Sequence, residues 1–246
     1  MISEKARQPP TPSEPQQQSA ATAGRRTILH IVYDAGVTFS WMHLVIPGVL
    51  ALILWGLLSG PLDLRTPRTA LVNLELLIPM LAGLLISDTI TREWTEETAG
   101  WRLTQPGGPS RLLIIRLFNT LVLWIVIAGT FLAAVKMLYL DPAELTLPWQ
   151  DVIILLGPPA LFFTGLGFLS SLLARMSLGG LLATAGYWAF TWVSGGTYTG
   201  PFHVLYLREP LGAWTFEATR WWLLVGGLLL LAAGSLIFGK GERWIR

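Results

Sequence analysis

The chain has 246 residues, 52% of them hydrophobic and 13% charged, with a formal net charge of +2. A soluble domain averages about 25% charged residues, so this composition excludes an ordinary soluble globular protein, and the small net charge gives no sign of a nucleic-acid partner. There is no Cys, which excludes a disulfide framework, a thiolate metal site and a cysteine nucleophile.

The first 24 residues, with "RQPPTPSEPQQQSAATAG", are polar and rich in Pro and Gln. They read as a disordered cytoplasmic tail, because they have almost nothing to bury. A signal peptide would need an apolar core after its basic start, and none follows. Next comes "RRTILHIVYDAGVTFSWMH". At about 100° per residue, Ile28, Ile31, Val32, Ala35, Phe39 and Met42 share one face. Arg26, Thr27, His30 and Asp34 lie on the opposite flank, so the segment reads as an interfacial helix.

From residue 25 to 246 the chain is expected to be one all-α integral membrane domain. Six spans are predicted, at Trp41–Ser59, Ala70–Ile90, Leu112–Tyr139, Val152–Ala174, Leu178–Ser194 and Trp221–Gly239. Each is near the ~20 residues a helix needs to cross the hydrocarbon. The fourth span carries Gly157-Pro158-Pro159, which either kinks it or offsets its start. Between the fifth and sixth spans, "GGTYTGPFHVLYLREPLGAWTFEATR" is rich in aromatics of the membrane–water boundary. It predicts short helices at or dipping into the outer surface, broken at Pro201 and Pro210.

Positive charge orients the spans. Of the 17 Lys and Arg, only Arg65, Arg68, Lys136, Arg208 and Arg220 fall on one side; the rest fall on the other. The richer side is the cytoplasm. Both termini are therefore expected there, in a multi-pass protein of the cell membrane.

Within the spans, Glu75 and Lys136 are predicted at similar depth near the outer end, where they could pair. Asp88 and Arg116 are matched at the inner end, although snorkelling also accounts for Arg116. An ionisable residue inside a membrane is a functional candidate. Glu75, with Tyr187, Trp188 and Thr191 of the fifth span, forms a candidate translocation path for an amphiphile; the aromatics also fit as boundary anchors.

The densest acids lie in "TREWTEETAGWRLTQPGGPSR", Thr91 to Arg111. Thr91–Leu103 is predicted as a short amphipathic helix at the inner surface, with Trp94 and Trp101 on one face. Pro106-Gly107-Gly108-Pro109 ends it and Ser110 caps the third span. This stretch resembles the cytoplasmic loop of ABC-2 type permeases, the membrane subunits of type V ABC transporters. In that family the second span runs into Glu-Arg-x-x-Gly-Thr, a hydrophobic residue, a Pro, and an Arg that opens the third span. One register matches Glu93 and Thr98, with Glu97 in place of the Gly. Another matches Glu96 and Gly100, with Trp101 in place of the Thr. Leu103, Pro106 and Arg111 follow under both.

The resemblance implies that Glu93, Glu96, Glu97, Thr98 and Arg102 form a coupling helix that docks on ABC ATPase subunits. It also implies a dimer with a second permease copy or a related permease. The chain has no G-x-x-x-x-G-K-[ST] loop, so ATP hydrolysis is expected in the separate partner, and no cofactor is expected here. Two other classes were weighed. An ion- or proton-coupled carrier or channel would use Glu75 as its sensor. An intramembrane protease of the CAAX type would use Phe39-x-x-x-His43 and Glu96-Glu97, but Arg102 lies one position beyond its pattern and the His precedes the acids.

Overall fold

The computed structural model describes residues 67–95, 108–138, 149–208, 210 and 212–239, together with Gly48. The expected tail, the interfacial helix and almost all of the first span lie outside these residues. So do Glu96, Glu97, Thr98 and Arg102.

The described residues form five α-helices and no strand. They are α1 (Pro67–Thr95), α2 (Gly108–Leu138), α3 (Trp149–Ala174), α4 (Ser177–Ser194) and α5 (Phe216–Gly239), with one 3₁₀ turn at Gly200–Phe202. Four of them, α1, α2, α3 and α5, are long and apolar enough to cross a membrane. The fifth, α4, has 18 residues but is not apolar enough to count with them, since Thr184, Tyr187, Trp188, Thr191 and Trp192 dilute it; of the six expected spans the described residues therefore support four.

Several boundaries depart from the sequence expectation for identifiable reasons. Thr91–Thr95 do not begin a separate surface helix; they continue α1, because "TREWT" contains no Gly or Pro to stop it. At the other side of the loop, α2 begins at Gly108, so Pro109 and Ser110 lie in its first turn and Ser110 is not its cap. Proline is tolerated there because its missing N–H would be unpaired anyway. The two prolines of α3 lie well inside a helix that starts at Trp149, so they do not offset its beginning.

Helix α5 starts five residues earlier than expected. Thr215 caps it: its hydroxyl accepts from the Ala218 N–H at 3.2 Å, and its carbonyl accepts from the Thr219 N–H at 3.0 Å. Glu217 in the first turn suits the positive end of the helix dipole. The preceding segment is not a set of outer helices. Apart from the 3₁₀ turn, which contains Pro201, it is irregular backbone that buries His203, Val204 and Leu205 in the bundle.

Helix α3 is the hub. It packs against α1, α4 and α5, while α1 also meets α2 and α4. Apolar helices in lipid gain little from the hydrophobic effect, so close approach between small residues supplies the contact. A Cβ on Gly83 would meet the Phe163 carbonyl at 2.6 Å and Thr184 Cγ2 at 2.8 Å. A Cβ on Gly227 would meet the backbone of Leu161 and Phe162 at 2.8 Å. These glycines let α1 and α5 lie backbone-close to α3, and Gly83 also makes room for the Thr184 side chain of α4. The turn from α3 to α4 is a Schellman motif. The Arg175 N–H donates to Leu172 O and the Met176 N–H to Ser171 O, both at 3.3 Å. Arg175 holds the left-handed position at φ 56°, where glycine is usual.

Almost every described side chain of the α1 span is buried. By contrast, α2 exposes Ile114, Phe118, Leu121, Val122, Ile125 and Val126, and α5 exposes Trp221, Val225, Leu228 and Leu229. Such apolar surface on long apolar helices is what lipid covers.

Candidate functional site

The site is assembled around Glu75, in the N-terminal half of α1 and 2% exposed. Four residues later comes Pro79. It has no N–H to give the Glu75 carbonyl, and its ring crowds that carbonyl, so the local hydrogen-bond ladder is weakened. Two tryptophans from neighbouring helices reinforce this stretch. Trp188 of α4 donates its indole N–H to Leu76 O at 2.7 Å, and Trp124 of α2 donates to Ile78 O at 2.8 Å.

The Glu75 carboxylate is held by three donors. Arg220, on the second turn of α5 and 3% exposed, forms a direct ion pair through Nη2. The Tyr206 N–H donates to one carboxylate oxygen at 3.1 Å and the Leu207 N–H to the other at 2.8 Å. The Arg220 guanidinium also lies 4.7 Å from the Phe216 ring centroid. Its Nε and Nη1 have no hydrogen-bond partner among the described residues. A carboxylate in hydrocarbon is tolerated only when neutralised and hydrogen-bonded, and here both conditions are met. The knot ties three separate elements together: the buried helix α1, helix α5 and the irregular segment that precedes α5.

Among the described residues the ion pair of Glu75 is with Arg220; the side chain of Lys136, the expected partner, lies outside them. Arg220 was read as an outer-loop residue; the earlier start of α5 brings it inside the helix and turns it toward α1. In the C-terminal half of α1 and the first half of α2, Asp88 and Arg116 are both buried and both engaged in interactions, so Arg116 does not snorkel to the surface.

The other candidate path residues gather near the same end. Tyr187 donates its hydroxyl to Phe202 O at 3.0 Å, and Thr191, fully buried, donates to Tyr187 O at 2.8 Å. Phe162, Phe163, Tyr187 and Phe202 form a ring cluster with centroids 5.1 to 6.1 Å apart. Trp188 meets Trp192 edge-on at 5.0 Å, and Arg208 lies 4.1 Å over the Trp192 ring. In this conformation the polar groups of Glu75, Tyr187, Trp188 and Thr191 all bond within the protein.

Of the coupling candidates, Glu93 falls in the last turn of α1. The others follow it in the chain and lie outside the described residues. Among the described residues no three His, Asp or Glu side chains converge to hold a metal.

Compared with known proteins, the chain matches no family model, no curated protein and no solved structure.

Proposed function

We propose that the chain is the membrane-spanning subunit of an ATP-driven ABC exporter, with six spans and both termini in the cytoplasm. It forms the pathway as a dimer and is coupled to separate ATPase subunits. The observation that carries this reading is where the charged stretch is attached. The segment bearing Glu93, Glu96, Glu97, Thr98 and Arg102 continues from α1, the helix on which α2, α3 and α4 pack and which holds Glu75. A push on that segment from below therefore acts on the centre of the bundle and, through Glu75, on the outer closure. Opening outward requires the Glu75–Arg220 knot to part, which gives ATP-driven movement a defined end point.

The test replaces Glu93, Glu96 and Glu97 with Ala and measures co-purification with a co-expressed ATPase subunit and that subunit's hydrolysis. Insertion should be unchanged, because these acids lie beyond the span. Exposed charge contacts of ~0.5–1 kcal/mol each would together weaken association roughly tenfold to a hundredfold, with a smaller loss at high salt. A triple variant that binds and hydrolyses like the parent overturns the coupling role.

Orientation is checked in the cysteine-free background. Met176→Cys, in the exposed α3–α4 turn, should react with an impermeant thiol reagent only from the cytoplasm, and Gly212→Cys only from outside. The reverse pattern would overturn the topology.

One observation favours a second reading. The buried Glu75–Arg220 pair is the kind of intramembrane ionisable group that proton-coupled carriers use. Substrate uptake by the purified chain alone, driven by a proton gradient, would decide for the carrier.

A further inference from the structure

A cavity of about 460 Å³ lies between α2, α3 and α5, with Ala82 of α1 at its back. Its volume is in the ~300–1,000 Å³ range of small-molecule sites. Leu117, Trp124 and Leu161 form much of its apolar wall, and no charged residue lines it. Leu121, Ile153 and Ile154 line it too, and all three are exposed on the apolar outside of the bundle. The cavity therefore opens toward lipid. Its lining residues fall near the middles of α2, α3 and α5, so it lies at mid-depth.

Two polar features set it apart from a plain hydrocarbon groove. The first is Thr120. In a membrane helix a threonine hydroxyl satisfies itself by donating to the carbonyl four residues back. Thr89, Thr91, Thr130, Thr164, Thr191 and Thr219 all do so, at 2.8 to 3.0 Å. Thr120 and Thr184 do not; of these Thr120 lines the cavity, on a residue only 2% exposed, and its buried hydroxyl has no partner among the described residues. The second is Pro158 on the facing wall. Having no N–H, it leaves the carbonyl of Ile154, another lining residue, without its helical donor. A buried hydroxyl and a helical carbonyl without its donor are costly in lipid unless a ligand completes them.

We infer that this cavity binds one uncharged amphiphile, an apolar body bearing a hydroxyl-class group that both donates and accepts, which enters sideways from the bilayer. Combined with the exporter reading, on which this last step rests, the occupant is the transported substrate. Trp124 links the cavity to the mechanism, because the same indole that walls it donates to Ile78 O beside Pro79. Occupancy is thus felt at the weakened turn next to Glu75.

The test uses the purified full chain in lipid nanodiscs, without ATP or an ATPase. The probes are hexadecanol and hexadecane, each carrying a photoactivatable diazirine. The alcohol should crosslink to peptides spanning 117–124 and 153–164, about two- to tenfold more than the alkane, as one added hydrogen bond allows. Thr120→Val, nearly isosteric, should lower the alcohol preference, leaving only what the Ile154 carbonyl supplies, and leave alkane capture unchanged. Thr120→Ser should keep the preference. Leu161→Trp should fill the cavity and abolish capture of both. Equal capture of the two probes by the parent chain, or an alcohol preference undiminished in Thr120→Val, overturns the inference. So does a disulfide formed between Leu161→Cys and a cysteine placed in the apolar 41–59 stretch, which would mean that the chain fills its own cavity. Because no ATPase is present, these results stand apart from the exporter reading, and either can fail without the other.

Discussion

Arg220→Met should lower the stability of the detergent-solubilised protein by about 3–5 kcal/mol, the usual cost of stranding one partner of a buried ion pair. The substitution leaves the Glu75 carboxylate in an apolar bundle with only the Tyr206 and Leu207 N–H groups to hold it. Glu75→Gln should also be costly, because it strands a guanidinium that is 3% exposed. The double variant Glu75→Gln/Arg220→Met removes both charges, and it should recover a large part of the loss. A thermodynamic cycle built on unfolding transitions reads the coupling directly. Strict additivity would mean that the two groups do not interact. Lys136→Met, combined with Glu75→Gln in the same way, should be additive.

The cycle also bears on mechanism. α1 and α5 both pack on α3, and Glu75 joins α1 to α5 and to the segment that precedes it. If ATP-driven movement opens the pathway there, Arg220→Met should alter substrate-stimulated hydrolysis in a complex that still assembles. The charge triad at the other end of α1 should alter assembly first. The two phenotypes separate closure from docking.

Much of the helical layout was legible in the sequence, because long apolar runs of membrane length have few alternatives. The fifth span was read as Leu178–Ser194 and the helix is Ser177–Ser194. The site was half legible. Glu75 stood out because a carboxylate inside a span demands an explanation. Its partner did not, for a local reason. Arg220 precedes the apolar run that begins at Trp221, so hydropathy alone puts it in a loop. The signal that places it in a helix is the cap, Thr215 followed by Phe216-Glu217-Ala218, and that signal was present but unused. The backbone donors of Tyr206 and Leu207 were beyond reach, since which N–H groups an irregular segment presents depends on the bundle that holds it. The glycine contacts were equally hidden. A glycine that meets a carbonyl and one that faces open space look the same in a sequence.

That last distinction yields the second large effect. Gly83→Leu and Gly227→Leu should each destabilise the bundle by about 1–3 kcal/mol or more, because in each case the atoms in the way include backbone. At Gly83 the obstacle is the Phe163 carbonyl at 2.6 Å, and at Gly227 it is the Leu161–Phe162 peptide at 2.8 Å. Neither can swing aside as a side-chain tip would; the helices themselves must part. Gly129→Leu and Gly186→Leu are matched controls on α2 and α4. A Cβ there meets nothing within 4 Å, and trading Gly for a good helix former should gain up to about 1 kcal/mol. Unfolding measurements on the four variants should therefore split in sign, although the chemical change is the same. Uniform destabilisation would mean that the helix crossings are not where the structure puts them. The split has a mechanical corollary. Gly83 lies between the Pro79 turn and the inner end of α1, so a wedge there pushes α1 away from both α3 and α4. Gly83→Leu should then weaken transmission from the charged loop to Glu75 even at temperatures where the protein remains folded. In the assembled complex this would appear as ATP hydrolysis that persists but no longer responds to substrate.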